Sequence, residues 1–260
     1  MTKSLSEKVL FLFDLDGVFY KGKENRVKLG GSKIIESLRT RQKKIFILTN
    51  DSTDSIATIR SRLGEFDIDV SPHEILSSAR LTAEFLRSRF GRVKYYLIGE
   101  SGLEDELRSF GHTRTKGESA DCVIVGLDRE LTYEKLDHAV RLVRGGSSIV
   151  ATHAAKLYMY RNGPALATGP VVKAIEFASG KRAITIGKPA SPMFKMALDK
   201  AGCTPKETVM VGDQIETDIL GASKLGIDSV LVTSGVDKTA GKFKVIVTIP
   251  NVDDLANFLV

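Results

Sequence analysis

Short apolar runs recur along the chain, and each is followed by a stretch with helical spacing. Residues 9–13, Val-Leu-Phe-Leu-Phe, are unbroken and predict a strand buried on both faces. Residues 32–42 predict a helix with Ile34, Ile35 and Leu38 on one face, and residues 44–50 a second buried strand. Ile56, Ile59 and Leu63 predict a helix over 53–66, with Ser52 or Thr53 as its N-cap. A third helix is expected over 77–89. The middle of the chain predicts strands at 95–99, 122–127 and 147–152 and helices at 132–144 and 171–179, with an irregular stretch over 153–169. The last third predicts a strand at 183–187, then a helix over 191–202 that starts with Pro192 and stops at Gly202. Strand 208–213, helix 216–226 and strand 228–235 complete it. Such alternation implies parallel sheets in an α/β architecture, where ligands bind at the carboxyl ends of the strands.

Polar residues stand where the apolar runs stop. The first run ends at Asp14, with Asp16 two residues on; the second ends at Thr49-Asn50, a later one at Gly187-Lys188, and the next at Asp213. If those strands are neighbours in one sheet, three carboxylates, a hydroxyl, an amide and an ammonium converge on one crevice. A like-charged pair at ~4 Å costs about 4 kcal/mol at an effective dielectric near 20, so the cluster calls for a cation. Oxygen ligands favour a hard one, and Mg2+ pairs with phosphate. Asp14 could then attack phosphorus, with Asp16 placed to protonate the leaving oxygen and later to take a proton from water.

Composition narrows the picture. With 42% hydrophobic and 27% charged residues in 260, the chain can bury a substantial core, and one core domain with an insertion is the fitting size. The net charge of +6 is spread rather than gathered into a basic run, so no nucleic-acid partner is expected. No apolar stretch is long enough for a membrane helix, and the polar start MTKSLSEK lacks the features of a leader. Cys122 and Cys203 are expected as thiols in a reducing cytosol. The four histidines, His73, His112, His138 and His153, form no pair at ligand spacing, and no glycine loop fits a Walker pattern.

The motifs Asp14-Leu15-Asp16-Gly17-Val18, Thr49-Asn50, Gly187-Lys188-Pro189 and the run 212–218, GDQIETD, occur in that order. Together they resemble the haloacid dehalogenase-like superfamily of phosphohydrolases. About 30 residues separate Asp16 from Thr49, too few for an inserted domain, whereas roughly 135 separate Asn50 from Lys188. That spacing resembles the 4-nitrophenylphosphatase or NagD-type branch, as do residues 99–103 and 125–136. The resemblance implies a doubly wound parallel, Rossmann-like core sheet from residues 1–78 and 183–260, with an α/β cap inserted at 79–182. It implies a Mg2+-dependent phosphomonoester hydrolase of small phosphorylated metabolites, working through an aspartyl-phosphate. Asp14 would be nucleophile and metal ligand, and Asp16 the general acid and base, with its carbonyl on the metal. Thr49, Asn50 and Lys188 would bind phosphate; Asp213 would bind the metal directly, with Asp218 supporting it. Relatives of this kind often pair through the cap, so a homodimer is a further expectation.

The chain departs from the branch at two places. Asp51 stands where Asn is usual, and is expected to favour the start of the following helix. Residues 152–170, THAAKLYMYRNGPALATGP, replace the usual Thr-Asn-Pro-Asp run, with His153 for Asn and Ala155 for Asp. His153, Tyr158, Tyr160 and Arg161 are the candidate specificity residues there. A catalytically idle phospholigand-binding protein would need a broken site, and Asp14, Asp16, Lys188 and Asp213 are all present. A phosphotransferase remains the other alternative.

Overall fold

The first apolar run forms β1 (Leu10–Phe13), and all four side chains are buried. The structure, a computed structural model, describes residues 4–22, 26–160 and 163–259. It divides into two units. One comprises residues 1–49, 57–76 and 191–260, the other residues 50–56 and 77–190.

In the first unit, β1 is followed by a small ribbon, β2 (Tyr20–Lys21) with β3 (Val27–Lys28), and by α1 (Ser32–Thr40), which buries Ile34, Ile35 and Leu38 as their spacing predicts. Then come β4 (Lys44–Thr49), α2 (Ile56–Gly64) and β5 (Ile75–Ser77). Helix α2 starts later than expected, because Asp51 and Thr53 close a turn of their own ahead of it. The six-stranded sheet runs β15-β14-β13-β1-β4-β5, where β13 is Thr208–Gly212, β14 Asp228–Val232 and β15 Val247–Ile249. β1 pairs in parallel with both β4 and β13, and β14 and β15 continue in parallel. The winding reverses between β1 and β13, the switch point at which open α/β sheets leave a crevice. Among the helices of this part, α7 (Ser191–Ala201) ends at Gly202, whose φ of 62° closes the helix in the left-handed region that glycine tolerates.

The second unit carries α3 (Ser78–Phe90), β6 (Lys94–Ile98), α4 (Ser101–Ser109), β7 (Thr113–Arg114), β8 (Cys122–Val125), α5 (Tyr133–Arg144) and β9 (Ser148–Ala151). A hairpin comes next, β10 (Leu157–Tyr160) antiparallel to β11 (Gly163–Leu166), then α6 (Thr168–Ser179) and β12 (Ile184–Thr185). The sheet order is β12-β9-β8-β6-β7, parallel throughout. Val123, Val125, Ile149 and Ala151 pack against Ala139, Leu142 and Val143 of α5 and Val172 and Ile175 of α6. Three stretches differ from expectation. The strand expected in the catalytic sheet at 183–187 is β12, which pairs with β9 (Ile184 with Val150, Thr185 with Ala151) and so joins the second sheet. The stretch expected to be irregular, 153–169, contains the hairpin. After Gly212, a π-helical turn (Ile215–Ile219) precedes α8 (Leu220–Ser223), in place of one regular helix. No helix among the described residues is long and apolar enough to cross a membrane.

One buried imidazole ties the second unit together. His112 Nδ1 accepts the Val93 N–H at 3.3 Å, so its Nε2 carries the proton and donates to Ala83 O at 2.9 Å. Burial pushes this imidazole below its ordinary value of 6.5, only partly offset by the Ala83 carbonyl. The folded protein keeps the ring neutral while the unfolded chain takes up a proton, so stability is full above about pH 6.5 and declines as pH falls below it. The urea midpoint is expected to drop from pH 7 to pH 5, and less steeply in His112→Gln. An equal slope in that variant would remove His112 from the explanation.

Candidate active site

Strand β1 ends at Asp14 and β13 runs into Asp213, and the register that pairs Phe13 with Val211 sets the two strand ends side by side. The Asp14 N–H donates to Val211 O at 2.9 Å, extending the ladder to the carboxylate. Asp14 Oδ1 accepts the Leu15 N–H at 2.8 Å, which fixes the rotation of the side chain. Asp213 Oδ2 accepts the Val236 N–H at 2.8 Å, and Asp218 Oδ2 accepts the Gln214 N–H at 3.1 Å. The π-helical turn after β13 carries Asp218 back to the strand end; such turns are frequent at functional sites.

Asp14, Asp213 and Asp218 each offer an oxygen, and these three oxygens lie within 4.8 Å of one another. The side chains are buried, with Asp218 wholly so. At that range each like-charged pair costs about 3–4 kcal/mol at an effective dielectric near 20. An all-carboxylate set this close fits a hard divalent cation, and Mg2+ suits it. Among the described residues this is the group of three or more metal-capable side chains that the fold assembles.

Glycines make room for the cluster. A Cβ on Gly17 would fall 2.2 Å from Asp213 Oδ2, and one on Gly235 would fall 1.9 Å from the same atom. A Cβ on Gly212 would fall 2.4 Å from Asp218 Oδ2. Gly17 also has φ of 81°, in the turn after the strand. Gly212 and Gly235 escape a reading of chemistry-bearing side chains, because their contribution is the absence of one.

A second polar cluster lies in the other unit. Asn50 Nδ2 donates to Lys188 O at 3.0 Å, and Lys188 is 1% exposed. Ser78 Oγ donates toward Asn50 O (2.8 Å) and Asp51 O (3.2 Å). Ser52 Oγ accepts the Leu127 N–H at 3.3 Å, and a Cβ on Gly102 would fall 2.4 Å from Thr53 O. These contacts hold residues 50–56 within the second unit. Asp51 Oδ1 accepts from Thr53 N and Thr53 Oγ1, both at 2.8 Å, so it closes a local turn ahead of α2 rather than sitting in the helix's first turn. Ser78 carries no signal of this contact in the sequence, and Gly102 enters there only as part of the branch-like run 99–103.

Residues 11–113 match the family model described as haloacid dehalogenase-like hydrolase, and residues 185–256 match a HAD-hydrolase-like model. The acid sugar phosphatase of Staphylococcus epidermidis is 32% identical over 87% of this chain and 86% of its own length. The sugar-phosphatase AraL of Bacillus subtilis is 33% identical over 87% of this chain and 84% of its own. The chain belongs to the haloacid dehalogenase-like hydrolases. The crystal structure of 4-nitrophenylphosphatase from Thermotoga maritima matches it with a TM-score of 0.90 at 30% identity, covering 98% of this chain and 99% of that one. This haloacid dehalogenase-like hydrolase therefore falls with the 4-nitrophenylphosphatase, or NagD-type, branch, and it is built as a phosphatase.

Against the residues expected of such a hydrolase, the structure gathers Asp14, Asp213 and Asp218 in one unit and Asn50 with Lys188 in the other. Thr49 is the buried last residue of β4, next to β1. Asp16 is half-buried in the turn after β1, where its backbone bridges to Tyr20. His153 is buried rather than presented to solvent. Tyr158 is half-exposed on β10, and Tyr160 pairs with Gly163 at the end of the hairpin. Arg161 lies outside the described residues.

The glycine cradle generates a test. Gly235→Ala drives a methyl group into Asp213, and is expected to weaken Mg2+ binding roughly 10- to 100-fold by calorimetry, the range for lost support of a metal ligand. Gly64→Ala, where nothing lies within 4 Å, is the control and leaves binding unchanged.

Proposed function

We propose that the protein hydrolyses a small phosphomonoester through a phosphoryl group carried on Asp14. The observation that supports this reading is the convergence of Asp14, Asp213 and Asp218 at the carboxyl ends of β1 and β13, where the winding of the sheet reverses. Asp14 is the nucleophile: its carboxylate, oriented by the Leu15 N–H, attacks phosphorus in line with the leaving oxygen. Asp16 protonates that oxygen as it departs, then takes a proton from the water that opens the acyl phosphate. Asp14, Asp213 and the Asp16 carbonyl would hold Mg2+, with Asp218 supporting them; when bound, the ion neutralises charge on the transferring group. Thr49 and the Asn50 backbone N–H bind phosphate oxygens, the Asn50 carboxamide being engaged with Lys188 O. Lys188 adds the positive charge that carboxylate attack on an anion requires.

The inserted segment, residues 79–182, is read as the cap that selects the leaving group. The Staphylococcus epidermidis and Bacillus subtilis relatives carry sugar phosphatase in their names, which makes small sugar phosphates the first substrate class to examine. The free thiols Cys122 and Cys203 agree with a reducing cytosol. Burial pushes the Cys122 thiol up to about 11, so it is inert as a nucleophile.

The test is phosphate release from a panel of sugar phosphates, nucleoside monophosphates and 4-nitrophenyl phosphate, with Mg2+ and with chelator. Release is expected only with the metal, and Asp14→Asn is expected to lower it by on the order of 10³ or more. Metal-independent release, or full activity in Asp14→Asn, would overturn the mechanism. Release to a sugar acceptor in place of water would favour the phosphotransferase.

A further inference from the structure

His153 comes just after β9 at the carboxyl end of the second sheet, and both of its ring nitrogens are committed. Nδ1 accepts the Ala155 N–H at 3.3 Å, which places the proton of the neutral ring on Nε2. That Nε2–H donates to Thr168 Oγ1 at 3.1 Å, and Thr168, the first residue of α6, is wholly buried. Burial pushes the imidazole down to about 4; Asp51 opposes the drop and Lys188 adds to it, so the ring is neutral near pH 7 and lies within range of both charges.

The loop that His153 anchors is tied on two sides. Toward α6, the Gly169 N–H donates to Ala155 O at 2.9 Å, and a Cβ on Gly169 would fall 2.5 Å from Ala154 O. Toward the polar cluster, the Gly187 N–H donates to Thr152 O at 2.7 Å. The Gly187 backbone rests on the ring-bearing carbon: a Cβ there would fall 3.1 Å from His153 Cβ and 2.5 Å from Asn50 Oδ1. Lys188 O then accepts from Asn50 Nδ2. A continuous path therefore runs from Thr168 through His153 to Gly187, Lys188 and Asn50.

We infer that His153 is a positioning residue for Lys188 and Asn50: its bond to Thr168 fixes the loop on which residues 187–188 rest. The inference deepens the phosphatase reading and rests on it, since that reading assigns Lys188 and Asn50 to phosphate. It also takes His153 out of the set of residues that choose the leaving group, because its nitrogens serve the protein's own backbone and Thr168.

The experiment measures inorganic phosphate binding by calorimetry at saturating Mg2+, together with KM and kcat on the best substrate. His153→Leu removes the donor; Thr168→Val removes the acceptor while keeping the shape of the side chain. Each is expected to weaken phosphate binding about tenfold, the weight of one buried hydrogen bond. kcat/KM should fall in parallel, with Mg2+ affinity within about twofold of wild type, as one lost bond away from the carboxylates requires. His153→Gln, whose amide N–H can still reach Thr168, should restore phosphate binding, which a merely packed core residue would not require. Should His153→Leu fail to fold, Thr168→Val and His153→Gln carry the test. Phosphate binding at the wild-type level in folded Thr168→Val, or binding in His153→Gln no better than in Thr168→Val, overturns the inference alone. A wild type that binds no phosphate overturns it together with the phosphatase reading.

Discussion

Three carboxylates held within reach of one ion, and buried, form the constraint on which the first unit depends. Left to themselves, like charges this close would move apart. They are held by backbone: the N–H groups of Leu15, Val236 and Gln214 each bind one carboxylate oxygen. Such charge-assisted bonds are among the stronger ones a protein makes. The sheet supplies the rest, since parallel pairing of β1 with β13 fixes where two of the three side chains emerge. A register slip of one residue would turn Asp14 to the other face. The apolar run before Asp14, buried at every position, resists such a slip.

Backbone contacts govern the second unit as well. Thr49 and Asn50 are adjacent in sequence yet fall in different units, because Ser78, Leu127 and Gly102 bind the segment that begins at Asn50. Asn50 and Lys188 are therefore set by one network, in which a carboxamide meets a main-chain carbonyl. The catalytic set expected of the family is thus built by two separate packings, each with its own sheet. Asp14 and Asp213 follow β1 and β13 of the first sheet, and Lys188 follows β12 of the second, whereas Asn50 follows β4 of the first.

Much of this was legible in the sequence, for reasons that particular elements make plain. Strands β1, β4 and β13 are apolar for most of their length and end on polar residues, so both their existence and their chemistry could be read. The place of β12 could not, because two half-buried residues carry no signal of which sheet they join; pairing with β9 decides it. Helix α4 gives little signal although Leu103 and Leu107 are spaced for one face, because its charged positions outnumber its apolar ones. The hairpin had a signal, Asn162-Gly163 between two short runs, that the surrounding alanines and glycines obscured. The start of α2 is hard to place because Ser52 or Thr53 reads as its N-cap, whereas Thr53 closes a turn with Asp51 that precedes the helix by two residues.

The two clusters leave unequal room for change. Around Asp213 and Asp218, glycines at 17, 212 and 235 already admit no carbon, so the sequence there is pinned by volume as well as by charge. After β9 the demands differ within a few residues. His153, Ala155 and Thr168 are bound into the base of the loop, while Leu157 and Leu166, opposite one another on the hairpin, are more than half exposed. A change at the base disturbs Gly187 and Lys188; a change on the outer hairpin meets solvent. The outer hairpin is thus the part of this stretch with the most room to vary. It is this stretch, and not the acidic cluster, that departs most from the pattern the chain otherwise resembles.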